Sequence, residues 1–109
     1  MAKISTHVLD VAKGAPAAGI RLELYRGLEP KALTQTNADG RTDKPLVSAA
    51  TLPTGAYDLI FHVGDYFREQ GIEPFYEKIT ISFVVNDGAA NYHVPLLLAA
   101  HGYSTYRGS

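Results

Sequence analysis

At 109 residues the chain has the size of one ordinary domain, 1–109, with no room for a second. Hydrophobic residues make up 46% and charged residues 19%, enough to bury a core, while a net charge of -1 and a pI near 6.4 leave no electrostatic footprint for nucleic acid or an anionic membrane. The absence of cysteine excludes disulfides, thiolate metal ligands and a cysteine nucleophile.

Lys3 is the only charged residue before the first patterned residues, with no apolar h-region and no run long enough to span a bilayer, so a cytoplasmic protein without membrane contact is expected. From Ile4 to Asp10 the residues alternate, with Ile4, Thr6 and Val8 on one face of a strand and Ser5, His7 and Leu9 on the other. If the first set looks inward, His7 looks outward. Ala12 to Gly19 is a Gly/Pro/Ala-rich connection, after which Ile20, Leu22 and Leu24 alternate with Arg21, Glu23 and Tyr25 in a second strand. Gly27 and Pro30 mark a turn and Ala32 to Thr36 reads as a third strand. Asn37-Ala38-Asp39-Gly40 is a strong turn signal, because these residue types tolerate positive φ, and Arg41 leaves it directly.

Asp43 to Ala50 is mixed and predicts at most a short edge strand near Leu46 and Val47. Tyr57, Leu59, Phe61 and Val63 then oppose Asp58, Ile60 and His62 in a clear strand. Asp65 to Gly71 predicts one short helix, begun by an aspartate cap and ended by glycine. Ile79, Ile81, Phe83 and Val85 define the most β-prone segment, and Asn86-Asp87-Gly88 turns the chain into the run Tyr92 to Leu98. There Tyr92, Val94, Leu96 and Leu98 share the inward face, while His93, Pro95 and Leu97 share the outward one. Pro95 has no amide hydrogen, which predicts an edge or an irregular spot. Tyr103 to Ser109 follows a short break, and an ending on two tyrosines, an arginine and small residues is expected to be built into the fold. Seven to eight short strands with frequent turns and one short helix predict an all-β, two-sheet antiparallel sandwich.

His7 and His93 thus share outward faces with Leu9, Pro95 and Leu97, which predicts a second burial surface, most simply another copy of the chain. An imidazole takes a proton from water near neutral pH, and an arginine stays charged and stabilises an oxyanion. His7, His93 and Arg41 therefore have the parts for water-mediated opening of an amide-like bond. Ser5, Ser104 and Ser109 are candidate nucleophiles, but none lies in a nucleophile elbow, so covalent catalysis ranks behind direct attack by water. A metal site recruiting His62 and His101 would need convergence of different strand contexts, and no zinc spacing motif is present.

The strand Ile4 to Asp10, the loop through Pro16-Ala17-Ala18-Gly19, the turn Asn37 to Arg41, the run Tyr92 to Leu98 and the ending Tyr103 to Ser109 resemble the 5-hydroxyisourate hydrolase family, the transthyretin-like enzymes of urate breakdown. The resemblance covers nearly the whole chain, and its most specific part is Tyr106-Arg107-Gly108-Ser109, which separates the hydrolases from transthyretin proper. It implies a transthyretin-like sandwich assembled as a homotetramer, with sites in the channel where two dimers meet. It further implies His7, Arg41 and His93 as the catalytic set, and Tyr106, Arg107, Gly108 and Ser109 as the substrate-binding wall. The implied reaction is hydrolysis of the six-membered-ring lactam of 5-hydroxyisourate, with no metal or organic cofactor. Ala99-Ala100-His101 departs from the Ser-Pro-aromatic pattern common in the family, which touches the bend before the last strand and makes His101 a rim or surface residue. The competing expectations are a transthyretin-type carrier of a small apolar ligand and a purely structural sandwich.

Overall fold

The period-two alternation at the start of the chain becomes strand β1 (Ala2–Asp10), and that near its end becomes β8 (Tyr92–Ala99), in a computed structural model that describes residues 1–109. Between and after them run β2 (Ala15–Pro16), β3 (Arg21–Arg26), β4 (Glu29–Gln35), β5 (Val47–Ala49), β6 (Gly55–His62), helix α1 (Val63–Arg68), β7 (Ile79–Val85) and β9 (Gly102–Thr105). One sheet has the order β2-β1-β8-β9, with β5 also on β1; the other has the order β4-β3-β6-β7. Their facing sides bury Ile4, Val8, Leu96 and Leu98 from the first sheet against Leu22, Leu24, Leu59 and Phe61 from the second. The result is a two-sheet sandwich.

The strands are antiparallel except for one pair. β1 and β8 run parallel, in register from Ile4↔Tyr92 to Asp10↔Leu98, so the first sheet is mixed where alternation alone predicted an antiparallel one. Alternation reports which face a side chain takes, and it carries no information on the direction of the neighbouring strand. The inner side of this pair is fastened by Thr6, whose buried hydroxyl donates to the Val94 carbonyl at 2.7 Å. No buried side-chain nitrogen or oxygen lacks a partner, as expected where unpaired polar groups are costly to bury.

Several element boundaries differ from the sequence reading. β4 begins at Glu29, so Pro30 lies inside an edge strand, where a missing amide hydrogen costs nothing. Pro95, by contrast, stands on β8, an interior strand. Its carbonyl accepts the Thr105 hydroxyl at 2.8 Å, and it falls in a gap of the ladder to the C-terminal segment, between Leu96↔Thr105 and His93↔Gly108. The spot is irregular without being an edge. Val63 opens α1 rather than ending the preceding strand, and the helix starts after His62 with no side-chain cap. Asp65 sits in the first turn, where it accepts from Arg68 at 3.1 Å. Gly71 does close the segment, at φ 72°.

Candidate active site

The parallel register sets the site. It brings Ser5 beside His93, His7 beside Pro95 and Leu9 beside Leu97, all on the outer face of the first sheet and all partly buried except the fully buried Pro95. Both histidines therefore occupy the outward positions read from the alternation. Ser5 Oγ lies 2.8 Å from His93 Nδ1. On the far side of β8, the Gly108 amide donates to the His93 carbonyl at 2.8 Å. The ring of His93 occupies the space that a side chain at Gly108 would need, the nearest ring atom being Cδ2. Only glycine permits the C-terminal segment to lie this close.

Arg41 is delivered by its turn. The Asn37 side-chain oxygen accepts from the Asp39 amide at 2.9 Å and from the Arg41 amide at 3.3 Å, and the Asn37 amide donates to the Arg41 carbonyl at 2.7 Å. Gly40, at φ 73°, takes a left-handed conformation and approaches β1 so closely that a Cβ would collide with the Val8 carbonyl. The Val8 amide in turn donates to the Gly40 carbonyl at 2.8 Å. This contact falls on the stretch of the β1 edge between β5 and β2, where neither short strand pairs. The arginine thus arrives next to the histidine strand with its guanidinium in none of the four ion pairs of the molecule.

The electrostatics show that the groups sense one another. Burial first, then the charges of Arg41 and His7, push the His93 imidazole below its ordinary value of 6.5, with the Ser5 backbone acting the other way. A neutral imidazole is thereby favoured beside a permanent cation. A polar cleft of about 150 Å³ runs along Ser5, Arg41, Thr42 and Lys44. A second hollow of about 190 Å³ opens on the other flank of β8, toward β7, with a largely apolar lining that includes Phe83, Val94 and Tyr106. His93 itself lines this hollow together with Tyr106 and Arg107, while Ser5 and Arg41 line the polar cleft, so the Ser5–His93 contact joins the two; within the hollow Arg107 is folded over the Tyr92 ring at 4.3 Å and donates to the Asn91 carbonyl at 3.1 Å.

The four C-terminal residues therefore differ in placement. Gly108 backs His93, Arg107 lies on Tyr92, and Tyr106 and Ser109 are exposed. His101 is exposed in the β8–β9 turn, and His62 is paired with Glu23 on the outer face of the other sheet, away from His7 and His93. Three contributors escaped sequence reasoning as parts of this site: Ser5 as a partner of His93, Asn37 as the hub of the arginine turn, and Gly40 as its anchor. Ser5 becomes visible once β1 and β8 are known to be parallel neighbours, and no signal in the sequence states that pairing.

A mixed-order sheet packed on a four-stranded antiparallel one, with a single helix after the sixth strand, defines a transthyretin-like sandwich. Sea bream transthyretin in complex with thyroxine superposes on it with a TM-score of 0.89 at 27% identity, over 97% of this chain and 94% of that one. The chain belongs to the HIUase/transthyretin family, whose model matches residues 4–108. Within the family it is similar to 5-hydroxyisourate hydrolase 2 of Rhizobium meliloti, at 48% identity over 98% of this chain and 96% of that protein. It is also similar to the solved 5-hydroxyisourate hydrolase of Klebsiella pneumoniae, at 41% identity and a TM-score of 0.89 over the whole of both chains. No helix is long and apolar enough to cross a membrane.

Proposed function

We propose that this chain hydrolyses 5-hydroxyisourate to 2-oxo-4-hydroxy-4-carboxy-5-ureidoimidazoline on the outer face of the β1–β8 pair. The observation that carries the reading is a neutral-favoured imidazole, His93, held by Ser5 within reach of the charges of His7 and Arg41. His93 takes a proton from water as the water oxygen bonds to the lactam carbonyl carbon. Arg41 stabilises the oxyanion that forms. The ring C–N bond then breaks, the carbonyl becomes a carboxylate, and His7 gives the departing nitrogen its proton. Tyr106 to Ser109 border the substrate beside His93. The chemistry requires only side chains and water, so neither a metal nor an organic cofactor is needed.

The partly exposed apolar outward residues Leu9 and Leu97 support assembly with further copies into a homotetramer, in which a facing sheet closes the site from bulk water, whereas Pro95 on the same face is already covered within the chain. The cytoplasm is the compartment this reading implies. A carrier of an apolar ligand is less compatible with the site, because Arg41 and the histidines would be left unpaired against it.

The test is the ultraviolet decay of freshly generated 5-hydroxyisourate, with spontaneous decay as control. Acceleration by the protein that is lost in His93→Ala supports the reading. A folded protein that leaves the decay unchanged overturns it and favours the carrier.

A further inference from the structure

We propose that Ser5 is a positioning residue, whose hydroxyl accepts the Nδ1 proton of His93 and so leaves the Nε2 lone pair as the basic site of the ring. The assignment of His93 as base rests on the function proposed above; the hydrogen-bond arrangement itself does not. The contact is built by the backbone, since Ser5 and His93 are directly paired in the parallel ladder and their side chains leave the sheet together. Gly108 closes the opposite side of the imidazole, along Cδ2 and Cγ. Flipping the ring would turn carbon toward Ser5 and forfeit the 2.8 Å hydrogen bond.

The direction of that bond follows from chemistry. A serine hydroxyl either donates or accepts, but an imidazole that cycles between neutral base and imidazolium keeps Nδ1–H throughout only if its partner is an acceptor. With Ser5 accepting, the proton on Nε2 comes and goes and nothing else moves. A neutral oxygen also suits this position better than a carboxylate. It orients the ring as an acid would, without supplying the negative charge that favours imidazolium. Serine as nucleophile fits poorly. In a nucleophile–base pair the attacking oxygen meets one ring nitrogen while a third group holds the other, and Ser5 contacts the nitrogen that the orienting group normally holds.

The test uses protein labelled with ¹⁵N at histidine, with the His93 resonances assigned by their loss in His93→Asn. At a pH above the imidazole range, the wild-type ring is expected to carry its proton on Nδ1. In Ser5→Ala the population shifts toward Nε2–H, the form that an unpartnered histidine side chain favours. Turnover falls about tenfold, the scale of one neutral hydrogen bond, with KM within about twofold. Ser5→Thr keeps a hydroxyl on a strand position that suits a β-branched residue and restores both the tautomer and the rate. An Nε2–H ring in the wild type, or a tautomer unaffected by Ser5→Ala, overturns the proposal. So does a fall in turnover beyond about a thousandfold in Ser5→Ala, which would make the serine a nucleophile. The tautomer measurement stands even if the protein does not hydrolyse 5-hydroxyisourate, so the two readings fail separately.

Discussion

The two outer faces of the sandwich each present a histidine, in opposite electrostatic settings. On the second sheet His62 contacts Glu23 through Nε2, Tyr25 donates to the same carboxylate at 2.8 Å, and Arg21 approaches His62 Nδ1 at 3.3 Å. Hydrogen bonds from His62 and then Tyr25 hold the Glu23 carboxyl below its ordinary range. Every strong donor there has an acceptor within the chain. On the first sheet His93 meets a neutral hydroxyl, and the nearest full charges are of the sign that disfavours imidazolium. A histidine saturated by a carboxylate is committed to structure. One held by serine beside a cation remains available for proton transfer.

The contrast is broken most completely by exchanging the fates of the two rings. His93→Asn should lower hydrolysis by about 10²–10⁴, the usual contribution of a general base, whereas His62→Asn should leave turnover within about twofold; steady-state decay of 5-hydroxyisourate reads both. Arg41→Ala comes next, at about 10²–10³ in kcat, as expected for loss of an oxyanion donor. Circular dichroism should show its fold unchanged, because the turn is held by the Asn37 and Gly40 backbone contacts rather than by the guanidinium.

Gly108→Ala sharpens the comparison without touching a titrating group. The new methyl meets the His93 ring, so either the ring leaves Ser5 or the C-terminal segment moves, and turnover should fall by roughly tenfold, on the scale of one lost hydrogen bond. Unchanged kinetics in this variant would show that the ring has room the structure does not give it. The smallest effect is one of pH. Because the folded-state pKa of His93 is depressed, the native protein binds fewer protons here than the unfolded chain. This contribution to stability is complete above the ordinary 6.5 and is lost as pH falls through the lower folded value. The acid limb of kcat/KM should accordingly have its midpoint below 6.5.

Much of the site was legible in the alternation of two segments. Ile4–Asp10 and Tyr92–Leu98 announced their inner and outer faces, and with them the outward histidines, because side-chain direction in a strand has a strict period of two. Asn37 to Gly40 announced a turn and therefore placed Arg41 at an exit from it. Hidden were the relations between segments. The parallel pairing of β1 with β8, the partnership of Ser5 with His93 and the docking of Gly40 on Val8 all depend on which distant pieces become neighbours. Helix α1 was displaced for a local reason: the aspartate that resembles a cap lies in the first turn, while the buried Val63 and Phe67 fix where the helix packs. The C-terminal tetrapeptide reads as one unit in sequence, yet its residues face in different directions, with Arg107 on Tyr92 and Gly108 on His93.

The pairing of β1 with β8 has a consequence for when the protein can work. Ser5 and His93 are separated by 88 positions. Closing a loop of that length costs on the order of 4 kcal/mol of chain entropy before any contact within it forms. During translation, the strand that carries His7 is made first and waits, its partner edge open, until β8 has followed it out of the ribosome. A nascent chain that stops short of His93 lacks one half of this pair, so the Ser5–His93 contact forms only after β8 has been made.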